Sequence, residues 1–452
     1  MLTERDLAAR VTERTASGVA TAIARLVSTG DLAAGVRLPT VRALARALRM
    51  SPTTVSEAWQ SLLRSGVIET GGRRGSTVRG VPRSAGPSRF SRLHSDLPAR
   101  LDLSAGTPDR DLLPDLGHAL HRLSRLAAAS SYFEPSVLPE LERVLRTDWP
   151  FEPEAITVVD GAVDAIDRLF DVLLRYGDRV LVENPTFPPI LDLLEQRGMV
   201  PVPLPLDDEG IDPAALGAAL SGAGPAKALL LQPRAHNPYG YAMSQPRAEE
   251  LAGVLAANPG VVVIEDDHAA AISIAAPVSL GPYLPDRTVY IRGYSKSHGP
   301  DLRLAALGGA GDIVDRVIQR RLLGPAWSSR LLQAVLLDLL TDPASVAAVA
   351  QARQAYAERR SRLTTALADR GVRVSGHDGI NVWIEVYDEN SALVTLAVHG
   401  ITVAPGSPFL CAPLDANHIR ITCATVHEGY ESLADLVAIA CARPGGRRGH
   451  TV

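Results

Sequence analysis

From residue 101 onward the sequence alternates short apolar segments with amphipathic ones, and the apolar segments end on polar residues. "AITVVDG", "DRVLVENPTF" and "GVVVIEDDH" are each followed by a helical stretch, and "KALLLQPRAHNP" and "TVYIRGYSK" are two more segments of this kind. The alternation predicts a parallel, doubly wound sheet, because parallel neighbours need a crossover connection. Ligands of such sheets bind beyond the carboxyl ends of the strands. The polar residues at those ends therefore belong to one site: Gly161, Asn184 to Phe187, Asn237, Asp266 and Lys296.

Lys296 is one of two lysines among 46 Lys+Arg; the other is Lys227. An amine can lose its proton and attack a carbonyl, which a guanidinium cannot do near neutrality. Arginine bias alone is what a GC-rich genome produces, so the scarcity of lysine is not evidence of function. The group around Lys296 suits a pyridoxal phosphate pocket. An amine can form a Schiff base with the cofactor aldehyde, and a buried carboxylate keeps the pyridine nitrogen protonated. An amide can donate to the ring oxygen, a strand-to-helix turn offers N–H groups to a phosphate, and an arginine neutralises it.

At 452 residues the chain has material for two or three domains. Three scattered cysteines, Cys411, Cys423 and Cys441, show neither metal-ligand spacing nor a disulfide framework. The charged opening "MLTERDLAARVTER" is not a signal peptide, and no run reaches the roughly 18 apolar residues of a membrane span. The expectation is a reduced cytoplasmic protein. Residues 1–100 carry 16 Arg and 7 Asp+Glu, a balance of +9, against −13 for the remainder. A basic head on an acidic body points to a polyanionic partner for the head.

The head reads as a helix over residues 3–29, the turn "GVRLPT" with Thr40 capping a helix through "VRALARALRM", and the turn "MSPTT" before the helix "TVSEAWQSLLRSG". The strand "VIET", the turn "GGRRG" and the strand "STVRG" follow. Three helices and a hairpin with arginines at its tip form the layout of a winged helix-turn-helix. The stretch "LPTVRALARALRMSPTTVSEAWQSLLRSGVIETGGRRGSTV" closely resembles the GntR-type DNA-binding domain over about 65 residues. The resemblance implies that the helix starting near Thr53 enters the major groove of a double-stranded operator. It places Arg42, Ser51, Thr53 and Thr54 at phosphates or bases, and Arg73, Arg74 and Gly75 at the backbone. Pro52 and Ser56 stand where members of that family often carry arginines. Residues 81–100, rich in Pro, Ser, Gly and Arg, read as a flexible basic linker between a domain over 1–80 and one over 101–443, with a disordered tail at 444–452.

The body resembles the fold-type I aminotransferases, through "LDLSAGTPDRDLLP", "VDGAVDAI", "VENPTFP", "QPRAHNPYG", "VIEDDH", "YSKSHGPDLR", "VAPGSPF" and "HIRITCA". That resemblance implies Lys296 as the Schiff-base lysine, Asp266 at the pyridine nitrogen, Asn237 at the ring oxygen and Phe187 stacked on the ring. It implies Ser295, Arg303 and the N–H groups of Ala162 and Val163 at the phosphate. It further implies Arg420 at the carboxylate of an amino-acid ligand, and Tyr132 at the phosphate of a neighbouring subunit. His268 stands where a tyrosine usually donates to the ring oxygen, and imidazole too can donate. Ala162 and Val163 replace a frequent hydroxyl and amide, Gly293 a common hydroxyl, and Val137 a common glycine.

A winged helix joined to such a body is the layout of the MocR-type members of the GntR family. The resemblance implies a homodimeric transcription regulator that senses pyridoxal phosphate, an amino-acid or amine effector, or both, through an aldimine at Lys296. One rival reading is a working aminotransferase with an incidental or autoregulatory head. Another is a regulator whose body has lost the cofactor and only dimerises.

Overall fold

A computed structural model of the chain describes residues 4–28, 31–33, 35–64, 67–70, 75–78, 88–93, 99–123, 131, 133–222 and 224–442. Arg73, Arg74, Tyr132 and the tail 444–452 lie outside the described residues. The chain separates into two compact units. One comprises Met1–Ser88, Leu174–Arg179 and Asp192–Val200; the other comprises Arg89–Leu173, Val180–Leu191 and Pro201–Val452.

The N-terminal segment of the first unit folds as α1 (Glu4–Ala9), α2 (Ala16–Ser28), α3 (Val41–Leu48), α4 (Pro52–Arg64), β1 (Ile68–Thr70) and β2 (Ser76–Val78). The single helix expected over 3–29 is two helices. The Thr15 hydroxyl accepts the Gly18 N–H at 3.0 Å and so starts a new helix at Ala16. Thr40 caps α3 as expected, accepting the Ala43 N–H at 3.2 Å. At the head of α4, Ser51 Oγ accepts the Thr54 N–H at 3.1 Å and lies 2.8 Å from Thr54 Oγ1. Helix periodicity turns Val55, Ala58, Trp59 and Leu62 inward, where they join Leu44, Leu48, Val19, Ile23 and Leu7 in one apolar core. β1 and β2 pair antiparallel, with Ile68 opposite Val78, and both of these side chains close that core.

In the second unit, β3 (Leu101–Leu103), β4 (Ala155–Val159), β5 (Arg179–Asn184), β6 (Val200–Asp207), β7 (Gly210–Ile211), β8 (Ala226–Leu231), β9 (Val262–Asp267), β10 (Thr288–Gly293) and β11 (Ala305–Gly309) come first. They are followed by β12 (Val374–Ser375), β13 (Asn381–Val386), β14 (Ile401–Pro405) and β15 (Asn417–Thr422). The large sheet has eight strands in the order β4-β11-β10-β9-β8-β5-β6-β7. A second, five-stranded sheet has the order β12-β13-β15-β14-β3.

β8, β9 and β10 run parallel, but β11 is antiparallel to both β10 and β4, so the sheet is mixed rather than all parallel. The reason lies in Tyr294–Leu304. This connection holds only a 3-10 turn, Pro300–Leu302, and without a crossover helix the chain must return beside the strand it left. Nor does a helix follow β9. Asp267 Oδ1 accepts the Ala270 N–H at 2.9 Å, and the chain makes a 3-10 turn, Ala270–Ile272. β5, β8, β9 and β10 are buried almost throughout, which explains their unbroken apolar runs.

The five-stranded sheet packs Val382, Ile384, Ile419 and Ile421 against Leu363 and Leu367 of the helix Pro343–Ala368 and Leu433 and Val437 of the helix Tyr430–Cys441. The stretch expected as a flexible linker includes a helical turn, Ser88–Ser91. Leu93 is buried with Trp383, Ala404 and Phe409, and Arg89 Nη1 donates to the Leu410 carbonyl at 3.1 Å. Those apolar and polar anchors fix part of a segment whose composition alone reads as a tether. Among the described residues, no single helix is long and apolar enough to cross a membrane.

Candidate functional site

Sheet register aligns the strand ends that carry the candidate residues. Gly293 of β10 lies opposite Ala305, which lies opposite Val159 of β4, and Asp266 of β9 pairs with Ile291. Gly161 with Ala162, the Ser295–Lys296 turn and Asp266 therefore leave the same edge of the sheet.

Asp266 and Asp267, adjacent on one strand, point to opposite faces and meet different chemistry. Asp267 takes a two-pronged ion pair from Arg234, Nε to Oδ1 at 3.0 Å and Nη2 to Oδ2 at 2.7 Å, and a 2.6 Å bond from the Tyr290 hydroxyl. Burial opposes its charge, but Arg234 and Tyr290 hold the carboxyl below the usual carboxylate range. Asp266 is equally buried and, among the described residues, has only Gln232, whose Nε2 donates to Oδ2 at 2.8 Å, while Oδ1 has no partner. Burial first, then Asp267 and Glu183, pushes Asp266 up to about 7 against the lowering by Gln232. A buried carboxylate oxygen with an unused acceptor fits a protonated ring nitrogen.

Asn237 lies in the loop after β8. Its Oδ1 accepts from Arg420 Nη1 at 3.2 Å and from Asn381 Nδ2 at 3.4 Å, which leaves Nδ2 with no protein partner among the described residues. Arg420, on β15, is 1% exposed, lies over the Phe409 ring at 5.2 Å and donates through Nη2 to the Ser104 carbonyl. Its Nε has no partner, it makes no ion pair among the described residues, and burial pulls its guanidinium down to about 10. A buried cation without a counter-ion is costly, and an incoming carboxylate would relieve that cost.

Lys296 Nζ donates to the Gly106 carbonyl at 2.5 Å. Burial, then the charge of Arg420, pulls the amine down to about 8, so a neutral amine is accessible at physiological pH. Gly106 has φ +63, and a Cβ there would fall 3.2 Å from Arg420 Nη1, so the segment Ser104–Gly106 spans Lys296 and Arg420 at van der Waals range. His268 is half-buried, and burial and Lys296 lower its imidazole to about 4, so it is neutral. Its Nε2 lies 3.0 Å from the Ala235 carbonyl, which can only accept, so Nε2 carries the proton and Nδ1 is left as an acceptor. The donation from His268 to a ring oxygen that the sequence allowed is therefore already spent on the backbone.

A second group forms at the end of β4. Gly161, at φ +109, precedes the helix Ala162–Leu173, whose first N–H groups, those of Ala162 and Val163, have no intrahelical acceptor. Arg303, in the left-handed region at φ +49, places Nη2 3.4 Å from the Asp160 carbonyl, and a Cβ on Gly161 would fall 2.9 Å from that nitrogen. This cradle of N–H groups and one exposed guanidinium fits a phosphate. Ser295 and Phe187 are half-buried on their turns.

Sequence reasoning missed Gln232, which opens the quoted "QPRAHNPYG" five residues before Asn237, and Glu183, the buried end of β5. A polar residue ending an apolar strand was the available signal for both. In the first unit, Arg42, Ser51 and Thr53 are exposed and Thr54 is half-buried. Arg37 was missed too: a Cβ on Gly75 would fall 3.2 Å from its Nε, so this exposed guanidinium lies on the hairpin.

Residues 99–435 match the family described as aminotransferase class I and II, and residues 15–78 the bacterial regulatory proteins of the gntR family. The chain is a MocR-type regulator of the GntR family. This regulator is 36% identical to the vitamin B6 salvage pathway transcriptional repressor PtsJ of Salmonella typhimurium, over 92% of the chain and 95% of that protein. It is 28% identical to the HTH-type transcriptional regulator TauR of Rhodobacter capsulatus, over 85% and 87%. Among solved structures it is similar to a Pyrococcus horikoshii kynurenine aminotransferase, with TM-score 0.70 and 21% identity over 80% of the chain and 96% of that one. The α-aminoadipate aminotransferase LysN of Thermus thermophilus gives TM-score 0.68 and 23% identity, over 78% and 96%. These likenesses establish the aminotransferase fold of the regulator's body.

Proposed function

We propose that this transcription regulator binds double-stranded DNA through residues 1–80 and pyridoxal phosphate through residues 101–443, as a cytoplasmic homodimer, and that an amino-acid or amine effector acts at Lys296. The observation that carries the reading is the pair Asp266 and Arg420. Both are buried and chargeable, and each has an atom without a partner among the described residues. A fold kept only for dimerisation would have no use for two such costs. The 36% identity to a repressor named for vitamin B6 salvage supports a reading connected with that vitamin.

When bound, pyridoxal phosphate supplies an aldehyde that reacts with amines and a ring that withdraws electrons. The chain's own residues set the rest. Asp266 Oδ1 would accept from the protonated ring nitrogen, Asn237 Nδ2 would donate to the ring oxygen, and Phe187 would lie against the ring. The N–H groups of Ala162 and Val163, with Ser295 and Arg303, would hold the phosphate, and Tyr132 of a second subunit would add to it. Arg420 orients an effector carboxylate. Lys296, whose neutral amine is accessible, would be the residue that holds the cofactor aldehyde, and its bond to the Gly106 carbonyl would be present only with the amine free, which gives Lys296 two arrangements. An effector shifts DNA affinity only by its different affinity for the two resulting arrangements.

Turnover would need Lys296 as a general base and a ring held firmly, and a misplacement of about 1 Å costs on the order of a hundredfold in rate. His268 spends its proton on Ala235, and Ala162 and Val163 bring no side-chain donor, which favours sensing over turnover. The test is to screen amino acids and amines, with and without 2-oxo acids, following cofactor absorbance and operator binding on the same samples. The expected result is a joint change in both with at most one slow half-reaction. Sustained turnovers with unchanged DNA binding would make the chain an aminotransferase with an incidental head.

A further inference from the structure

Gln232 occupies the centre of a buried network that no role above requires. Its backbone N–H donates to Glu183 Oε2 at 3.0 Å, its Nε2 to Asp266 Oδ2 at 2.8 Å, and its Oε1 accepts the Asn237 N–H at 2.8 Å. Gln232 is 1% exposed and Glu183 is fully buried. Behind Glu183 stand the Tyr241 hydroxyl, which donates to Oε1, and His236, whose Nε2 lies 3.2 Å from Oε2. His236 Nδ1 accepts the Tyr239 N–H at 3.2 Å, so Nε2 is the nitrogen that carries the proton, and it has no hydrogen-bond partner among the described residues.

The carboxamide can lie only one way round. A backbone N–H can only donate, so the Gln232 oxygen must face Asn237 and the NH₂ must face Asp266. We infer that Gln232 is the positioning residue of the cofactor site: it fixes one oxygen of Asp266 as a hydrogen-bonded anion, leaves the other for the ring nitrogen, and ties this to the place of Asn237. The inference rests on the proposed cofactor only for its purpose, since the network is built from protein atoms alone.

The groups acting on Asp266 are few. Glu183 from β5 and Asp267 on its own strand both favour its protonated form, and among the described residues Gln232 is the neighbour that favours the anion. His236 lies against Glu183, neutral His268 follows Asp267, and Lys296 lies on the turn after the paired strand β10. A carboxylate in place of Gln232 keeps the shape and the acceptor for Asn237, but can donate to Asp266 only when it carries a proton. Two carboxyl groups at that range share one proton, which raises one of their affinities strongly.

The test compares Gln232→Glu and Gln232→Leu with the unsubstituted chain for pyridoxal phosphate affinity between pH 6 and 8.5. Lys296 is common to all three, so its titration cancels in the ratio at each pH. Gln232→Glu should bind about tenfold more weakly or worse at pH 8.5, a factor equal to one unit of proton affinity at Asp266, and the gap should close toward pH 6. Gln232→Leu should be weaker at every pH. A Gln232→Glu ratio that stays flat, or Gln232→Leu at full affinity, overturns the inference.

The apoprotein gives an independent reading. The Asp266 carboxyl resonance, identified in ¹³C-aspartate-labelled chain by its loss in Asp266→Asn, should titrate at higher pH in both variants. If the unsubstituted chain takes up no cofactor, the proposed function falls. This titration then decides the role of Gln232 by itself, and an unmoved midpoint overturns it.

Discussion

Arg420 Nη1 donates to Asn237 Oδ1 at 3.2 Å, so the residue that would take an effector's carboxylate is hydrogen-bonded to the residue that would take the cofactor's ring oxygen. One contact thus joins the two ligands' places. Removing Arg420 leaves Asn237 Oδ1 with Asn381 alone and removes a buried cation that has no ion pair among the described residues. We predict that Arg420→Ala keeps cofactor uptake within a few-fold but loses the preference for amino acids over amines of the same skeleton without a carboxylate. The expected loss is about ten- to a hundredfold in effector affinity, the range for a charge-assisted hydrogen-bond pair. Spectral titration with a matched amino acid and amine measures it; an unchanged ratio between the two refutes the assignment.

Much of this site is legible in the sequence because strand ends and site coincide. The alternation from residue 101 and the polar residue closing each apolar run are enough to group Gly161, Asn237, Asp266 and Lys296. What the sequence could not give is direction and partnership. β11 reads as any buried strand, and its antiparallel course follows from a connection too short for a crossover. "EDD" does not say which aspartate is satisfied; Arg234 and Tyr290, both distant in sequence, decide that. His268 is equally ambiguous until the Ala235 carbonyl takes its proton. In the head, Thr15 looks like any helix residue, yet its hydroxyl caps a second helix.

The amine of Lys296 is lowered to about 8 by burial and by Arg420. A group titrating there is half neutral at that pH, and only the neutral amine attacks an aldehyde. The rate of pyridoxal phosphate capture should therefore rise with pH and level off above about 8, roughly two units earlier than for an ordinary lysine. Stopped-flow absorbance across pH 6 to 10 checks this. Arg420→Ala should move the midpoint upward, because removal of a neighbouring positive charge favours the ammonium. A midpoint near the ordinary lysine value in the unsubstituted chain would contradict the lowering by burial and by Arg420.

Asp266 carries a stability consequence with a definite sign. Its folded-state affinity for protons is raised to about 7, above the ordinary value of 3.8, so the folded apoprotein binds a proton that the unfolded chain releases. The apoprotein should thus lose stability as pH rises from about 4 to about 7, where the carboxylate is charged and half-satisfied. Asp266→Asn should be more stable than the unsubstituted apoprotein at pH 8, by about 1–3 kcal/mol, the usual cost of a buried unsatisfied polar group. The same variant should lose most of its cofactor affinity. Thermal unfolding with and without pyridoxal phosphate separates the two effects: the substitution should raise the apo midpoint and erase the cofactor-induced rise.

The exposed residues of the head divide into two classes, and they should behave differently on DNA. Arg37, beside Gly75 of the hairpin, and Arg42, on the first turn of α3, are exposed cations suited to phosphates. Each should contribute affinity without sequence preference, so Arg37→Ala and Arg42→Ala should weaken binding to operator and random duplex alike. Each lost contact should reduce the slope of log affinity against log salt by roughly one unit. Thr53 is exposed at the start of α4, whereas the Ser51 and Thr54 hydroxyls lie 2.8 Å apart and Ser51 caps the helix. Thr53→Ala should therefore change the ranking of duplex sequences while leaving the head's stability unaltered. Ser51→Ala should destabilise the head by about 1 kcal/mol, the ordinary worth of a helix cap, and weaken all duplexes through that loss. Fluorescence anisotropy over a salt series, paired with thermal unfolding of each variant in the full chain, distinguishes these outcomes. An unchanged salt slope for Arg37→Ala would remove the hairpin from the DNA interface.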